Sequence, residues 1–331
     1  MSLHQRWCAA AVVTAVIGFL AGRYLGGRQP EPVVPASPPG MVDQVLRAIR
    51  LYYVDSLSDA QLTYLAAQAI VERLQDPYST VLQRERARRS EAVSEARATG
   101  DVRLVEKGVG YVALRVFTGR SADDLREAIL DLHPDSLQAL ILDLRDNPGG
   151  LVNEAVKVAD LFLDIHLPIA TVRGRTAGNS WRFASARAQE WPDLRLAVLV
   201  NERTRSAAEL VAGALQEHDR AAIVGKPTYG KGTVQQTIPL SDTVGLRLTT
   251  ARWYTAGGRR IDGDTSGGSA RWFSFQGRPL PTGPPGGVMP DFVAANGKQL
   301  QAAVDLVRHA RTTAELLELA AAAARARARS Y

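Results

Sequence analysis

The chain reads as an α/β layered core with a helical N-terminal segment and a C-terminal helix, and three patterns predict it. Short apolar runs recur near 109–117, 139–145, 168–173, 196–201, 221–225, 232–239 and 245–254, each short enough for a strand. Amphipathic periods near 121–132, 150–163 and 206–217 fall between several of them and predict helices. A long periodic stretch at 298–328, ending in the Ala/Arg tract AAAARARARS, predicts the closing helix. A length of 331 residues holds one large domain with appendages, and 46% hydrophobic residues is ordinary for a globular chain.

Five segments follow: 1–27, 28–40, 41–108, 109–296 and 297–331. The first carries an uncharged run from Trp7 to Gly22, after Arg6 and before Arg23. Sixteen residues fall short of the roughly 17–25 a spanning helix needs, unless Arg23 snorkels and Tyr24 and Leu25 extend the run. A cleaved signal peptide and an uncleaved membrane anchor both fit; the lack of a clean A-x-A site favours the anchor. Either exports the rest of the chain. Cys8, the single cysteine, excludes an internal disulfide. Residues 28–40 form a proline-rich spacer. Helices are expected at 41–53 and 59–75, the second stopped by Asp76-Pro77. Residues 83–98 are charged and helix-prone, a short lid or a solvated connector.

The net charge of +6 is mostly arginine spread along the chain, including Arg84–Arg89 and Arg325–Arg329, with no interleaved aromatic platform. That argues against nucleic acid as a partner; anionic lipid or an acidic substrate suits it better. No His/Cys/Asp cluster has metal-ligand spacing, and GKPTYGKGT lacks the G-x-x-x-x-G-K-[ST] spacing of a phosphate loop. Neither a metal nor a cofactor is expected.

Catalytic potential concentrates at Ser206 and Lys231, twenty-five residues apart. Ser206 opens the helix of SAAELVAGALQ, where Ser206 and Glu209 also spell a capping box. Lys231 lies in a Gly230–Gly232 bend between apolar runs, and burial there would lower its pKa toward the range of a general base. None of the five histidines stands in a recognisable motif beside Ser206. In an extended 231–239 segment, Lys231, Thr233 and Gln235 share a face, so Gln235 could hold the amine toward the serine. The N–H of Ala207, at a helix start, and an N–H of Gly149 or Gly150, in a strand-to-helix turn, could receive an oxyanion.

At these residues the chain resembles the carboxyl-terminal processing, or tail-specific, serine peptidases. TRSAAELVAGAL, YGKGTVQ and Gln235 carry the likeness. DPYSTVL at 76–82, VGYVALRVF at 109–117, LRDNPGGLVNEAVKVADLFL at 144–163, LRLTTARWYTAGGRRIDG at 246–263 and GVMPDF at 287–292 extend it in order. The resemblance implies a ClpP/crotonase-like core and endopeptidase action on exported polypeptides. It makes Ser206 the nucleophile, Lys231 the base and Gln235 the orienting residue. Ala207 and Gly149 or Gly150 would supply the oxyanion hole.

Three departures stand out. Only 83–108 fills the place of the PDZ domain usual in the family, which needs roughly 80–100 residues. Arg205 stands beside Ser206 where a small residue is usual, and residues 264–286 form an insert rich in Gly, Ser and Pro. Control would then fall to a short lid or to an activating or adaptor protein; a homo-oligomer is also open. A non-catalytic scaffold binding polypeptide tails is the alternative. An acyl-CoA enzyme on a related core would need an acidic pair that the sequence does not place.

Overall fold

The structure, a computed structural model, describes residues 40–83, 96–262, 273–282, 286–295 and 297–328. The expected signal peptide or anchor, most of the spacer, residues 84–95 of the connector and much of the 264–286 insert lie outside these. The chain divides into two compact units, Met1–Ala66 and Ala67–Tyr331.

In the first unit, helix α1 (Met41–Tyr52) begins where Asp43 accepts a hydrogen bond from the Gly40 N–H at 3.1 Å. Helix α2 (Asp59–Glu72) begins after Ser58, whose hydroxyl accepts from the Gln61 N–H at 3.3 Å. Arg50 pairs with Asp59 at 2.7 Å.

The second unit is built on strands β1 (Thr80–Gln83), β2 (Thr99–Glu106), β3 (Val109–Leu114), β4 (Ala139–Asp143), β5 (Pro168–Gly174), β6 (Trp181–Ala184), β7 (Arg195–Val200), β8 (Ala221–Gly225), β9 (Thr233–Pro239), β10 (Val244–Thr255) and β11 (Phe292–Val293). Its helices are α3 (Ser121–Asp131), α4 (Val152–Asp160), α5 (Ala207–Glu217), α6 (Gln299–His309) and α7 (Thr313–Ala328). One sheet runs β11-β8-β7-β4-β3-β2, parallel except for the antiparallel β2 edge. The other is antiparallel, β1-β10-β5-β6, with β9 also on β10.

Strands β3, β4, β7 and β8 are buried at every position, which is why they read as unbroken apolar runs rather than alternating ones. Side chains of opposite parity enter opposite layers. Leu140, Leu142, Leu196 and Val198 pack with α3, α4 and α5; Ala139, Ile141, Ala197 and Leu199 pack with α6 and α7. Leu142 is fully buried, and truncating such a leucine to alanine costs about 2–5 kcal/mol.

The expected alternation is present, with two corrections. Residues 99–106, counted in the short connector up to residue 108 and given no strand, pair antiparallel with β3 as an edge strand. Their charges hid them, because only one face is covered; Arg103 lies 4.6 Å over the Tyr111 ring. The single C-terminal helix expected over 297–331 is two, broken at Ala310. The break is a T-x-x-E box: Thr312 Oγ1 accepts from the Glu315 N–H at 3.2 Å, and Glu315 Oε2 accepts from the Arg311 N–H at 2.7 Å. The Arg195 guanidinium donates to the Ala310 carbonyl freed there.

Candidate active site

Ser206 sits between β7 and α5, at a backbone conformation (φ 58°, ψ −120°) that side-chain-bearing residues rarely adopt. Holding it costs about 1–3 kcal/mol, so the surroundings must over-determine it. They do so from three sides. Thr204 donates to the Leu144 carbonyl at 2.8 Å, the Arg205 N–H donates to the Asn147 carbonyl at 3.0 Å, and the Ser206 N–H donates to Glu209 Oε2 at 2.7 Å. The Glu209 N–H bonds the Ser206 carbonyl at 2.9 Å, and the serine hydroxyl makes no capping hydrogen bond. The glutamate half of the capping box is thus a firm hydrogen bond.

Glu209 is fully buried and reaches much further than a cap. Its Oε2 also accepts from the Lys231 N–H at 2.8 Å; its Oε1 accepts from the Gly230 N–H and the Thr228 hydroxyl, each at 2.6 Å. One carboxylate thus ties the backbone of Ser206 to the backbone of Lys231. Burial pushes the Glu209 carboxyl pKa up, and the four donors pull it back.

Lys231 is held at both ends of its own peptide: the N–H on Glu209, and the carbonyl by the indole N–H of buried Trp253 at 2.9 Å. Its half-buried side chain lays Nζ 4.6 Å over the Tyr78 ring. Burial, then the charges of Arg205 and Arg247, hold the amine below the ordinary lysine range, against Asp76 and Glu209, which pull the other way. Among the described residues no carboxylate pairs with this amine. Tyr78 stands in the DPYS turn, where Asp76 accepts from the Tyr78 N–H at 3.1 Å and from the Ser79 hydroxyl at 2.5 Å. Ser79 Oγ in turn accepts from the Thr249 N–H of β10 at 3.0 Å. The Tyr78 hydroxyl meets that of Tyr229 at 3.5 Å; burial and that neighbour push its pKa up to about 12, so it stays protonated at neutral pH.

The NPGG turn lies against the start of α5. A Cβ at Gly149 (φ 92°) would come within 2.9 Å of the Arg205 carbonyl and of Ser206 Cβ, and 3.0 Å of the Ala207 nitrogen, so only glycine lets the turn approach. The Gly149 N–H already donates to Asn147 Oδ1 at 2.8 Å. The N–H groups of Gly150 and Ala207 have no partner among the described residues. Buried Asn147 anchors the turn, donating from Nδ2 to the Leu114 carbonyl at 2.8 Å.

Gln235 is placed differently from the expectation. Its Nε2 donates to Thr233 Oγ1 at 2.9 Å and to Thr249 Oγ1 at 3.2 Å, beside a bulge in the β9–β10 ladder, and it makes no hydrogen bond to the amine. The structure thus brings Ser206, Ala207, Lys231 and the two glycines into one constellation, with Gln235 engaged on its flank. Sequence reasoning missed Glu209 as a bridge, and Tyr78, Asn147, Thr228 and Tyr229. Ser-x-x-Glu signalled a local cap, but nothing local says that the same carboxylate meets residues 228–231.

Residues 108–267 match Peptidase family S41. Over 163 residues the chain is 43% identical to a carboxy-terminal-processing protease of Bartonella bacilliformis, covering 48% of this chain and 37% of that protein. Over 155 residues it is 35% identical to a probable CtpA-like serine protease of Staphylococcus haemolyticus, covering 47% and 31%. The matched region thus spans about a third of the length of these curated relatives. Among solved structures, a lipoprotein from Streptococcus agalactiae superposes with a TM-score of 0.55 at 19% identity, covering 81% of this chain and 89% of that one, a likeness of fold alone.

Proposed function

We propose that this chain, whose residues 108–267 match peptidase family S41, is a member of that family and a serine endopeptidase hydrolysing polypeptides with a Ser206/Lys231 dyad. Neutral Lys231 takes the hydroxyl proton as Ser206 Oγ attacks the scissile carbonyl. The oxyanion is received by the N–H groups of Ala207 and Gly150, since that of Gly149 is engaged. The new lysine ammonium then protonates the leaving amine; water, giving a proton to the lysine, attacks the acyl group, and the ammonium returns that proton to Ser206 Oγ as the acid departs. Gln235 has its amide nitrogen occupied by the two threonines, which leaves its oxygen as the acceptor to orient the ammonium.

The observation that carries this reading is the Glu209 carboxylate, which fixes a strained serine and a desolvated lysine in one frame. A scaffold that only binds polypeptide tails would have no use for the strain at Ser206. The test is digestion of an unfolded protein by the full chain and by Ser206→Ala. Cleavage by the parent and none by the folded variant is expected; equal cleavage by both would refute the assignment.

Export, and a membrane anchor within residues 1–27, belong to the same proposal. Among the described residues no helix is long and apolar enough to cross a membrane. An activating or adaptor protein, or a homo-oligomer, would add control where residues 83–108 replace a larger domain.

A further inference from the structure

The peptide of Lys231 is fastened at its N–H and at its carbonyl, so any change of place falls to the side chain. That side chain has one placed contact. Its Nζ lies 4.6 Å from the centre of the Tyr78 ring, inside the roughly 6 Å over which an aromatic face attracts a cation. Among the described residues Nζ forms no hydrogen bond and no ion pair. Gln235, the residue expected to orient it, bonds Thr233 and Thr249 instead. The dyad chemistry needs the amine at Ser206 Oγ, and no step of it uses the ring on which the amine rests.

Tyr78 is not a loose surface ring. It is half-buried, and Asp76 and Ser79 fasten its turn to Thr249 of β10. Its hydroxyl meets that of Tyr229, whose N–H donates to the Thr204 carbonyl at 3.0 Å, two residues before Ser206. The ring is thus braced from the sheet and from the nucleophile's own loop. An aromatic face attracts an ammonium through its quadrupole and has no such hold on a neutral amine. The charges around Lys231 come from Arg205 beside Ser206, Arg247 on β10, Asp76 in the turn and Glu209 on α5. The arginines favour the neutral amine and the acids favour the ammonium. The Tyr78 hydroxyl adds no charge, since its pKa is pushed up to about 12.

We propose that Tyr78 is a positioning residue: its ring holds the Lys231 side chain as an ammonium in the resting site, and loss of that proton to solvent frees the amine to swing to Ser206 Oγ. The inference rests on the proposed dyad for where the amine goes, but the perch is measurable without hydrolysis. The chain has five lysines, Lys107, Lys157, Lys226, Lys231 and Lys298. The full chain carrying Ser206→Ala is labelled with carbon-13 at lysine Cε and titrated by NMR. The Lys231 signal is the one that Lys231→Met removes.

At the acid end of the titration the Lys231 Hε protons should lie upfield of those of the other lysines, displaced by the Tyr78 ring current. That displacement should fade as the amine loses its proton. Tyr78→Leu keeps an apolar side chain and removes the ring face, so Lys231 should titrate about 0.5–1 lower in pH. Tyr78→Met, also without a face, should follow it; Tyr78→Phe keeps the face and should titrate with the parent. With Ser206 restored, the rising limb of kcat against pH on a neutral peptide amide should move down by the same amount in Tyr78→Leu and stay in place in Tyr78→Phe. No ring-current displacement, a midpoint unchanged or raised in Tyr78→Leu and Tyr78→Met, or one lowered equally in Tyr78→Phe would overturn the perch and leave the dyad standing. The ring-current reading needs no substitution at Tyr78, so it decides whatever the stability of the variants. A perched, ring-dependent lysine in a parent chain that cleaves nothing would instead overturn the dyad and leave the perch standing.

Discussion

Helix α5 has buried acids at both ends, and they are treated in opposite ways. At its start Glu209 takes four donors, three backbone N–H groups and a hydroxyl, and no cation. At its end Glu217 pairs with buried Arg259 at 3.1 Å while also accepting from Thr255 and Gly257, each at 2.6 Å. Just beyond, Asp219 and Asp291 share Arg278 at 2.5 and 2.7 Å. The far end is an ion-pair network that fastens segments of chain to the core. The near end satisfies its carboxylate with neutral dipoles, and the cations beside it, Lys231 and Arg205, meet no carboxylate among the described residues. An amine salt-bridged to a buried acid stays protonated and cannot serve as a base. The contrast is the one that the base proposed at Lys231 requires.

The largest break of that contrast is Lys231→Met, which keeps the length of the side chain and removes the proposed base. Proteolytic kcat/KM should fall by at least about 1000-fold. Stability should move the other way. A lysine whose folded pKa lies below its unfolded one is penalised on folding at every pH under the unfolded value, so removing it should raise the melting temperature at neutral pH. A variant both inactive and less stable would contradict the view of Lys231 as a desolvated base.

Next is Glu209→Gln. The amide can accept at one atom only, so donors now served by the second oxygen face an NH2 group. The loss in stability should be about 1–3 kcal/mol. The more telling readout is the kinetic split. With Ser206 and Lys231 no longer in one frame, kcat should drop about 100-fold while KM stays within about twofold. A fall in stability with kcat intact would reduce Glu209 to a helix cap.

These two predictions mark what was legible in the sequence. Ser206, Lys231 and the NPGG turn were readable because each sits where an apolar run meets a glycine or helix start, and they meet in the fold. The buried strands β3, β4, β7 and β8 were readable because both their faces are covered. The edge strand β2 was not, because its exposed face carries charges. Glu209 announced only its local half, since a side chain's second oxygen finds its partners through tertiary contact. Gln235 was read from strand periodicity, which gives a face but not the neighbours on it; Thr249 comes from the adjacent strand.

A smaller effect is expected from the charge at Arg205. Lys231 must be neutral to act, so activity should rise with pH through its pKa. Arg205 and Arg247 hold that pKa down; Asp76 and Glu209 hold it up. Arg205→Gln removes one depressing charge, so the rising limb of the kcat profile should shift to higher pH. Arg205→Lys keeps the charge and should restore the limb. The measurement is kcat against pH on a neutral peptide amide. A shift toward lower pH would reverse the sign on which the electrostatic account depends.

The smallest kinetic effect should come from the other end of α5, where the comparison is most exposed to failure. Arg259→Met leaves Glu217 buried without its cation, and breaking a buried pair from one side costs about 3–5 kcal/mol. For a unit of this size that is a drop in melting temperature of about 10 °C. Yet Arg259 touches neither Ser206 nor Lys231; its partners are Glu217, Thr255 and Gln216. Well below the melting transition, kcat per folded molecule should stay within about twofold of the parent. If it fell as far as in Glu209→Gln, the two ends of the helix would be one coupled network, and the division between structural and chemical charge would not hold.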